Sequence, residues 1–397
     1  MFRQVIGYRD FHAEDHFNFQ FNRWLPFLPE EELHEIAQQI TDFESWKHVF
    51  SRYAQQAESE QRFSHATYYY RAAEFFMADS DPDKKIAYRK MTSLFDKACQ
   101  HIPYRREQIP YLNGYLPALT VAAKGEQKDI LIVHGGFDSF AEELLPQLIE
   151  ATEWGFKVIF FEGPGQGFPL QEFNMPMPNN WELPVAAVLD HFNIKACTLL
   201  GISLGGYLAT RAAAFEPRIK RVIADDVMED FYDCLANRIG APKMRIINTL
   251  LKLNMKSTLN SLMAKAAKQD VISAWAMNHG LKVSGSKTYF DYLKWAQQMN
   301  TRSISHRVTQ DYLLLAGRED HMVPLDQFYR QAKSLVNVNS FTGRVFTNKE
   351  HAGNHCHIGN ATLANNVMFD WISGLLDRDK SITNNCTKPL PKLLEQA

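Results

Sequence analysis

The sequence has few cysteines, and they are scattered along the chain. Five occur among 397 residues, and none pairs with another in a C-x-x-C motif. A disulfide framework or a structural zinc site needs cysteines at a more regular spacing. The cysteine pattern therefore argues against both kinds of stabilisation.

Long apolar runs are also missing. No stretch approaches the ~20 consecutive apolar residues of a membrane-spanning helix. Residues 1–17 are too polar for a secretory signal peptide. We therefore expect a cytoplasmic protein with no membrane partner.

An excess of charge of either sign is missing as well. The formal net charge is −2, so nothing favours nucleic acid or an anionic membrane surface as a partner. Aromatic residues, in contrast, are abundant at 12% of the chain. They are consistent with aromatic-lined pockets and equally with thick hydrophobic cores.

The most informative stretch is residues 195–214, where an apolar strand, a tight turn and a small-residue helix follow one another. Ser203 lies at the apex of the turn, between Gly201 and Gly205. Glycines allow the helix to begin almost on top of the strand, where a Cβ would not fit. The G-x-S-x-G pattern in this context predicts a nucleophile elbow with Ser203 as the nucleophile. An ordinary glycine-rich turn is the alternative interpretation.

A nucleophilic serine needs a base and a carboxylate that orients the base. Asp320 is the preferred acid because it follows the apolar run 312–317, where a carboxylate reaches the carboxyl edge of a sheet. Asp225 and Asp226 follow the preceding strand and are competing acids. They are also candidate substrate contacts, although acids at a helix start explain them equally well.

Three histidines near the end of the chain are candidates for the base. His351, His355 and His357 occur within seven residues, a density that is also typical of a metal-binding tract. No second ligand cluster is evident in the sequence, and a triad histidine belongs in a loop before the final helix. We therefore choose His355 as the base and predict no metal site.

A serine nucleophile also needs N–H groups that bind the oxyanion. The backbone N–H of Leu204, directly after the nucleophile, is one expected donor. The second is expected from Gly136 or Phe137, in the glycine loop after strand 129–133. A simple strand-to-helix turn is the alternative for this loop.

A second glycine-rich loop spans residues 162–167. It lacks the Lys-Ser/Thr of a phosphate-binding loop and the glycine spacing of a dinucleotide fingerprint. We therefore predict a tight turn beside the site, with Glu162 as a candidate substrate contact, and no cofactor.

The chain divides into parts that differ in their predicted secondary structure. Residues 1–105 predict four helices and form an N-terminal helical domain. Strands alternate with helices in residues 106–227 and 306–379, which predicts an α/β core with a mostly parallel sheet covered on both faces. Residues 228–305 are helical and interrupt the alternation, so we interpret them as a lid. Residues 380–397 are expected to form a flexible tail.

Five motifs together resemble a known family; they are VHGGFDS, FFEGPGQG, GISLGG, LLLAGREDHMVP and HAGNHCHIGN. The family is that of the α/β hydrolases related to 2,6-dihydroxypseudooxynicotine hydrolase, which includes the fungal yellowish-green-type heptaketide hydrolases. The resemblance implies the α/β-hydrolase fold and places Ser203, Asp320 and His355 as the catalytic triad. It further implies no metal or cofactor, frequent homodimers, and hydrolysis of esters, amides or carbon–carbon bonds next to a ketone.

The leading hypothesis is a serine hydrolase that acts on a medium-sized carbonyl compound, with cleavage of a C–C bond in a β-diketone, polyketide or aromatic ketone. A carboxylesterase, amidase or peptidase with the same triad is the first alternative. A non-catalytic α/β-hydrolase scaffold is the second, and it is disfavoured because all three triad residues are present.

Overall fold

The structure is a computed structural model, and it describes residues 2–268 and 271–386. Its strands are β1 (Tyr104–Tyr111), β2 (Gly114–Val121), β3 (Asp129–His134), β4 (Phe156–Phe161), β5 (Cys197–Ile202), β6 (Ile219–Asp225), β7 (Asp311–Gly317) and β8 (Ser340–Phe346). Within the described residues they form one eight-stranded sheet in the order β1-β2-β4-β3-β5-β6-β7-β8.

Most of this sheet is parallel. β2 pairs antiparallel with β1 and β4, whereas the neighbours from β4 to β8 all pair in parallel. The carboxyl ends of β3, β5, β6, β7 and β8 therefore meet at one edge of the sheet. This edge collects every loop in which the sequence predicts a catalytic group.

The helices are α1 (Asp15–Trp24), α2 (Glu30–Ala37), α3 (Phe43–Ser59), α4 (Phe63–Phe75), α5 (Pro82–Ala98), α6 (Ala141–Leu148), α7 (Gly167–Phe173), α8 (Glu182–His191), α9 (Leu204–Ala213), α10 (Phe231–Ile239), α11 (Ala241–Lys252), α12 (Lys256–Ala267), α13 (Val271–Ser284), α14 (Tyr289–Ala296), α15 (Asp326–Ser334) and α16 (Ala361–Cys386). None of those in the described chain combines the length and apolar character needed to cross a bilayer.

Helices cover both faces of the sheet. Leu199 of β5 packs in one core cluster with residues of α8 and α9, whereas the adjacent Leu200 packs in another with residues of α6 and α16. Successive residues of a strand point to opposite faces, so an uninterrupted apolar strand needs cover on both sides. The predicted fold class, a mostly parallel sheet with helices on both faces, is confirmed.

Helix α1 is an element that the sequence analysis did not predict. The alternation of Phe17, Phe19 and Phe21 with polar residues is the period of a strand rather than of a helix. The helix is enclosed on several sides, and its polar residues are buried too. Asn18 accepts a hydrogen bond from the N–H of Phe11, and Asn22 accepts one from the N–H of Arg9, at 2.7 Å each. These contacts hold the preceding segment against the helix.

Two further boundaries differ from expectation. The amphipathic pattern of residues 142–152 predicts one long helix, but α6 ends at Leu148 and the chain continues as a 3-10 turn, Ile149–Thr152. At the end of the chain, α16 continues to Cys386, so the first residues of the expected tail are helical. Residues 387–397, the rest of that tail, lie outside the described chain.

Buried ion pairs connect the first helices to the core. Arg71 of α4 contacts Glu74 and Glu143, both at 2.6 Å, while Arg23 of α1 contacts Glu143 at 2.7 Å and Asp138 at 3.0 Å. Removing one partner of such a pair would leave an uncompensated buried charge and is strongly destabilising. Since Asp138 belongs to the loop after β3, this network ties that loop to α1 and α4.

The turn between β5 and α9 is the tightest packing in the sheet. Ser203 has φ 62° and ψ −126°, a strained conformation for a residue with a side chain. A Cβ on Gly201 would lie 1.9 Å from the carbonyl oxygen of Gly205. Alanine at position 201 would therefore force β5 and α9 apart.

We expect Gly201→Ala to lower the free energy of unfolding by about 1–3 kcal/mol, because the clash is with backbone that cannot move aside. Urea denaturation followed by circular dichroism measures the change. Gly374→Ala in α16 is the control, since its new Cβ meets nothing within 4 Å and alanine favours the helix by up to about 1 kcal/mol. Equal unfolding midpoints for the two variants would contradict the close approach of α9.

Candidate active site

Three side chains from separate loops form a hydrogen-bonded line at the carboxyl edge of the sheet. Ser203 Oγ lies 2.9 Å from Nε2 of His355, and Nδ1 of His355 lies 2.7 Å from Oδ2 of Asp320. The other carboxylate oxygen of Asp320 accepts hydrogen bonds from the N–H groups of Met322 and Val323 at 2.7 and 2.9 Å. These two donors fix the carboxylate so that Oδ2 faces the imidazole.

A second carboxylate approaches the same imidazole nitrogen. Asp226 Oδ2 lies 3.2 Å from His355 Nδ1 and also accepts the N–H of Cys356 at 2.5 Å. Burial alone would raise the pKa of Asp226, but the contacts with His355, His357 and Cys356 lower it to about 2. Two of the three acids proposed from the sequence, Asp320 and Asp226, thus contact His355, and Asp320 makes the shorter contact.

Opposing effects act on the protonation of His355. Its burial favours the neutral ring, but the carboxylates of Asp320 and Asp226 outweigh burial and raise the pKa of His355 well above its ordinary value. The surroundings therefore stabilise the imidazolium that forms when this ring accepts a proton.

His357 pairs with the remaining acid of this cluster. Its Nε2 lies 2.8 Å from Asp225 Oδ1, and its Nδ1 lies 2.9 Å from the carbonyl oxygen of Ala352. Burial alone would lower the pKa of His357, but the Asp225 carboxylate outweighs it and the pKa rises to about 9. His357 is fully buried, whereas His351 is exposed.

The sequence suggested that no second ligand cluster accompanies these histidines, and this expectation is wrong. Two groups have ligand atoms close enough to hold a metal ion, one of Asp226, His355 and Cys356, the other of Asp225, Asp226 and His357. In the first group both nitrogens of His355 already face Ser203 and Asp320. In the second group, Asp225 and His357 already form an ion pair, with Nε2 of His357 2.8 Å from Oδ1 of Asp225.

The residues predicted to bind an oxyanion lie together beside Ser203. Leu204 is the first residue of α9, and N–H groups in a first helical turn have no acceptor within their own helix. A Cβ on Gly136 would lie 2.6 Å from the backbone nitrogen of Leu204. Phe137 lines the same cavity as Ser203. The positive end of the α9 dipole points at this place as well.

Glu162 is not where a substrate contact would be. Its carboxylate is buried and accepts hydrogen bonds from the N–H of Ala141 at 3.0 Å and of Phe168 at 2.7 Å, in the first turns of α6 and α7. Burial and the neighbouring Glu142 raise the pKa of Glu162 to about 8. The prediction of a substrate contact is therefore corrected: Glu162 joins two helix starts.

A cavity of about 230 Å³ opens over Ser203 and His355. Its walls come from several parts of the chain, with Phe2 and Phe19 from the N-terminal region and Phe231 and Trp275 from the helices after β6. Asp225 also lines it, whereas Asp226 lies behind the histidine loop.

Sequence reasoning missed two residues close to the imidazole. Phe19 of α1 lies with its ring 4.7 Å from that of His321 and 6.3 Å from that of His355. Burial, with the nearby His355, lowers the pKa of His321 to about 4. His321 directly follows Asp320, so its position next to the predicted acid was an available signal. No pattern in the sequence connects Phe19 to this site.

Comparisons with known proteins identify the family of this chain. Residues 130–359 match the model described as Alpha/beta hydrolase family. Hydrolase LUC6 of a Fusarium species is 28% identical, over 90% of this chain and 95% of its own. The 20-hydroxy-prefusarin hydrolase FUS2 of Gibberella moniliformis is 27% identical, over 91% of this chain and 96% of its own.

A solved structure shows the same fold over most of the chain. The crystal structure of 2,6-dihydroxy-pseudo-oxynicotine hydrolase superimposes with a TM-score of 0.63 and 20% identity, covering 90% of this chain and 95% of that one. The family resemblance inferred from the five motifs is confirmed.

The pair of Asp225 and His357 makes stability depend on pH. Because the folded pKa of His357, about 9, lies above the ordinary 6.5, its stabilisation is fully present below pH 6.5 and is lost as pH rises through 9. We expect Asp225→Asn to reduce the free energy of unfolding by about 2–4 kcal/mol at pH 6, and by much less at pH 10. Urea denaturation across this range measures the difference.

Asp190→Asn is the control for this experiment. Asp190 pairs with Arg218 at 2.5 Å, but its side chain is 71% exposed, and exposed pairs contribute little. We expect its unfolding free energy to follow that of the unmodified protein at every pH. A difference between unmodified protein and Asp225→Asn that stays constant from pH 6 to 10 would count against the charged pair.

Proposed function

Since this chain belongs to the alpha/beta hydrolase family and is a hydrolase, we propose that Ser203, His355 and Asp320 are its catalytic triad. The observation that carries the proposal is the pair of short contacts at His355, 2.9 Å to Ser203 Oγ and 2.7 Å to Asp320 Oδ2. A serine, a base and an orienting acid in this order are what nucleophilic catalysis by serine requires.

The first chemical step is attack on a carbonyl carbon. As the bond from Ser203 Oγ forms, the hydroxyl proton passes to Nε2 of His355 and the carbonyl electron pair moves onto oxygen. Asp320 holds the proton on Nδ1 and stabilises the imidazolium. Donors from Leu204 and the loop of Gly136 and Phe137 stabilise the oxyanion, and the loss of one such donor typically costs ~10²–10³ in rate.

The substrate we propose is a medium-sized carbonyl compound, and the favoured reaction is hydrolysis of a C–C bond in a β-diketone, polyketide or aromatic ketone. When the tetrahedral intermediate collapses, the C–C bond breaks and its electron pair leaves as an enolate, which the His355 imidazolium protonates. Water, deprotonated by His355, then releases the acid from Ser203. One diketone and one water thus give one carboxylic acid and one ketone.

Two observations support a small organic substrate. The cavity over Ser203 is of moderate volume and has aromatic walls. The names of FUS2 and of 2,6-dihydroxy-pseudo-oxynicotine hydrolase state that those proteins hydrolyse such compounds. An ester would pass through the same steps with an alkoxide as leaving group, so the triad alone serves an esterase equally well.

We further propose that residues 1–105 and 228–305 act as the roof and the lid of the cavity. Phe2 and Phe19 from the first segment and Phe231 and Trp275 from the second line its walls. Substrate choice would then reside in these walls, and the chemistry in the loops at the sheet edge.

We expect Ser203→Ala to abolish turnover, with a loss of at least about 10³-fold, because no other group can form the acyl intermediate. Hydrolysis of p-nitrophenyl acetate and labelling by a fluorophosphonate probe report on the same serine. Ser305→Ala is the control, because Ser305 is a buried serine whose hydroxyl contacts the carbonyl oxygen of Thr301 and the amide of Gln331, away from the cavity. Unchanged turnover in the Ser203 variant would refute the triad.

The reaction type can be read from products. We expect an aryl 1,3-diketone to yield an acid and a ketone with the unmodified enzyme, and nothing with Ser203→Ala. Mass spectrometry of both reactions, run beside a matched aryl ester, provides the measurement. Turnover of the ester alone would replace C–C hydrolysis by the esterase alternative.

A further inference from the structure

Four successive carbonyl groups of the loop after β3 are held by side chains from other parts of the chain. Gln166 Nε2 donates hydrogen bonds to the carbonyl oxygens of Gly135 and Gly136 at 2.7 and 3.0 Å. His279 Nε2 lies 3.1 Å from that of Phe137, and Arg71 donates to that of Asp138 at 2.5 Å. The loop is therefore fixed peptide by peptide.

The orientation of the Gln166 amide follows from its third contact. The N–H of Gly163 donates to Gln166 Oε1 at 2.9 Å. Because a backbone N–H can only donate, the atom that it meets must be the amide oxygen. The NH₂ group then faces the two carbonyl oxygens, and the side chain is buried with all three contacts satisfied.

Holding a carbonyl group fixes the N–H on the other side of the same peptide. In a trans peptide the C=O of one residue and the N–H of the next point in opposite directions. The carbonyl groups of Gly135 and Gly136 point at Gln166, so the N–H groups of Gly136 and Phe137 point away from it. Hydrogen bonds that polarise a peptide carbonyl also make its N–H a stronger donor.

The side away from Gln166 is the catalytic side. Gln166 lies outside the lining of the cavity, whereas Phe137 and Ser203 belong to it. The direction of a Cβ on Gly136 leads to the backbone nitrogen of Leu204, at 2.6 Å. The loop that carries these two N–H groups thus meets the start of α9 at Gly136.

We propose that Gln166 is the positioning residue of the oxyanion hole. This inference rests on the proposed function and extends it to a side chain that does not touch substrate. From its place between β4 and α7, Gln166 orients the N–H groups of Gly136 and Phe137 before the oxyanion forms. Preorganisation of this kind is what makes such donors effective in catalysis.

Two substitutions test different parts of this arrangement. Gln166→Glu keeps an acceptor for the N–H of Gly163 but sets a carboxylate oxygen against two carbonyl oxygens. Gln166→Met removes the acceptor and the donors at similar length. We expect kcat for p-nitrophenyl acetate to fall about 10- to 100-fold in both, less than the ~10²–10³ for loss of a donor, since the N–H groups remain present.

A transition-state analogue separates positioning from a general loss of structure. 2,2,2-Trifluoroacetophenone adds Ser203 Oγ at its carbonyl carbon and leaves an oxyanion in the hole. We expect its inhibition constant to rise by about the factor by which kcat falls, with KM changed less than about threefold. A purely structural role would lower the unfolding midpoint without this parallel between kcat and inhibitor affinity.

Gln331→Met is the matched control. Gln331 is a fully buried glutamine that accepts a hydrogen bond from Thr301 and donates one to Ser305, away from the cavity. We expect it to lower stability while kcat and the inhibition constant stay at the unmodified values. Equal kinetic losses in this control, or unmodified kinetics in both Gln166 variants, would overturn the role of Gln166.

The outcome also distinguishes the two proposals. If neither a fluorophosphonate nor the trifluoroketone reacts with the unmodified protein, the triad itself fails. If Ser203 reacts but its kinetics are insensitive to Gln166, the triad stands and only the positioning role falls.

Discussion

The catalytic geometry depends on how closely α9 approaches β5. The carbonyl of Gly205 occupies the space in which Gly201 would carry a Cβ, and a Cβ on Gly205 itself would lie 2.8 Å from the carbonyl oxygen of Gly135. This closeness brings the start of a helix, the apex serine and the loop after β3 to one point. Without it, the N–H of Leu204 and the loop after β3 could not lie beside each other.

Much of this site could be predicted from the sequence, because the signals lie in short continuous motifs. An apolar run followed by G-x-S-x-G indicates both the strand and the turn. Parallel strands, in addition, bring their carboxyl ends to one edge of the sheet. Asp320 and His355 could therefore be assigned from the loops that they occupy. The sequence favoured Asp320 over Asp226 from its loop alone, and at His355 the two contacts differ by little, 2.7 Å for Asp320 and 3.2 Å for Asp226.

What escaped prediction depends on contacts between distant segments. Helix α1 has the alternation of a strand, but Asn18 and Asn22 are buried with hydrogen-bond partners in the preceding segment that no local pattern specifies. Glu162 looked like a group available to substrate, but it is enclosed by two helix starts. Gln166 was interpreted only as part of a turn, because the carbonyl groups that it binds, of Gly135 and Gly136, lie about thirty residues earlier in the chain.

The candidate catalytic residues and most of the cavity walls come from different parts of the chain, which affects how related proteins can diverge. Substitutions at Phe231 or Trp275, in the helices after β6, can reshape the space above Ser203 without replacing residues at the sheet edge. His279 is an exception to this independence, because it lies on α13 and yet contacts the carbonyl of Phe137. A change in α13 would therefore alter both a wall of the cavity, at Trp275, and the contact that holds the loop after β3.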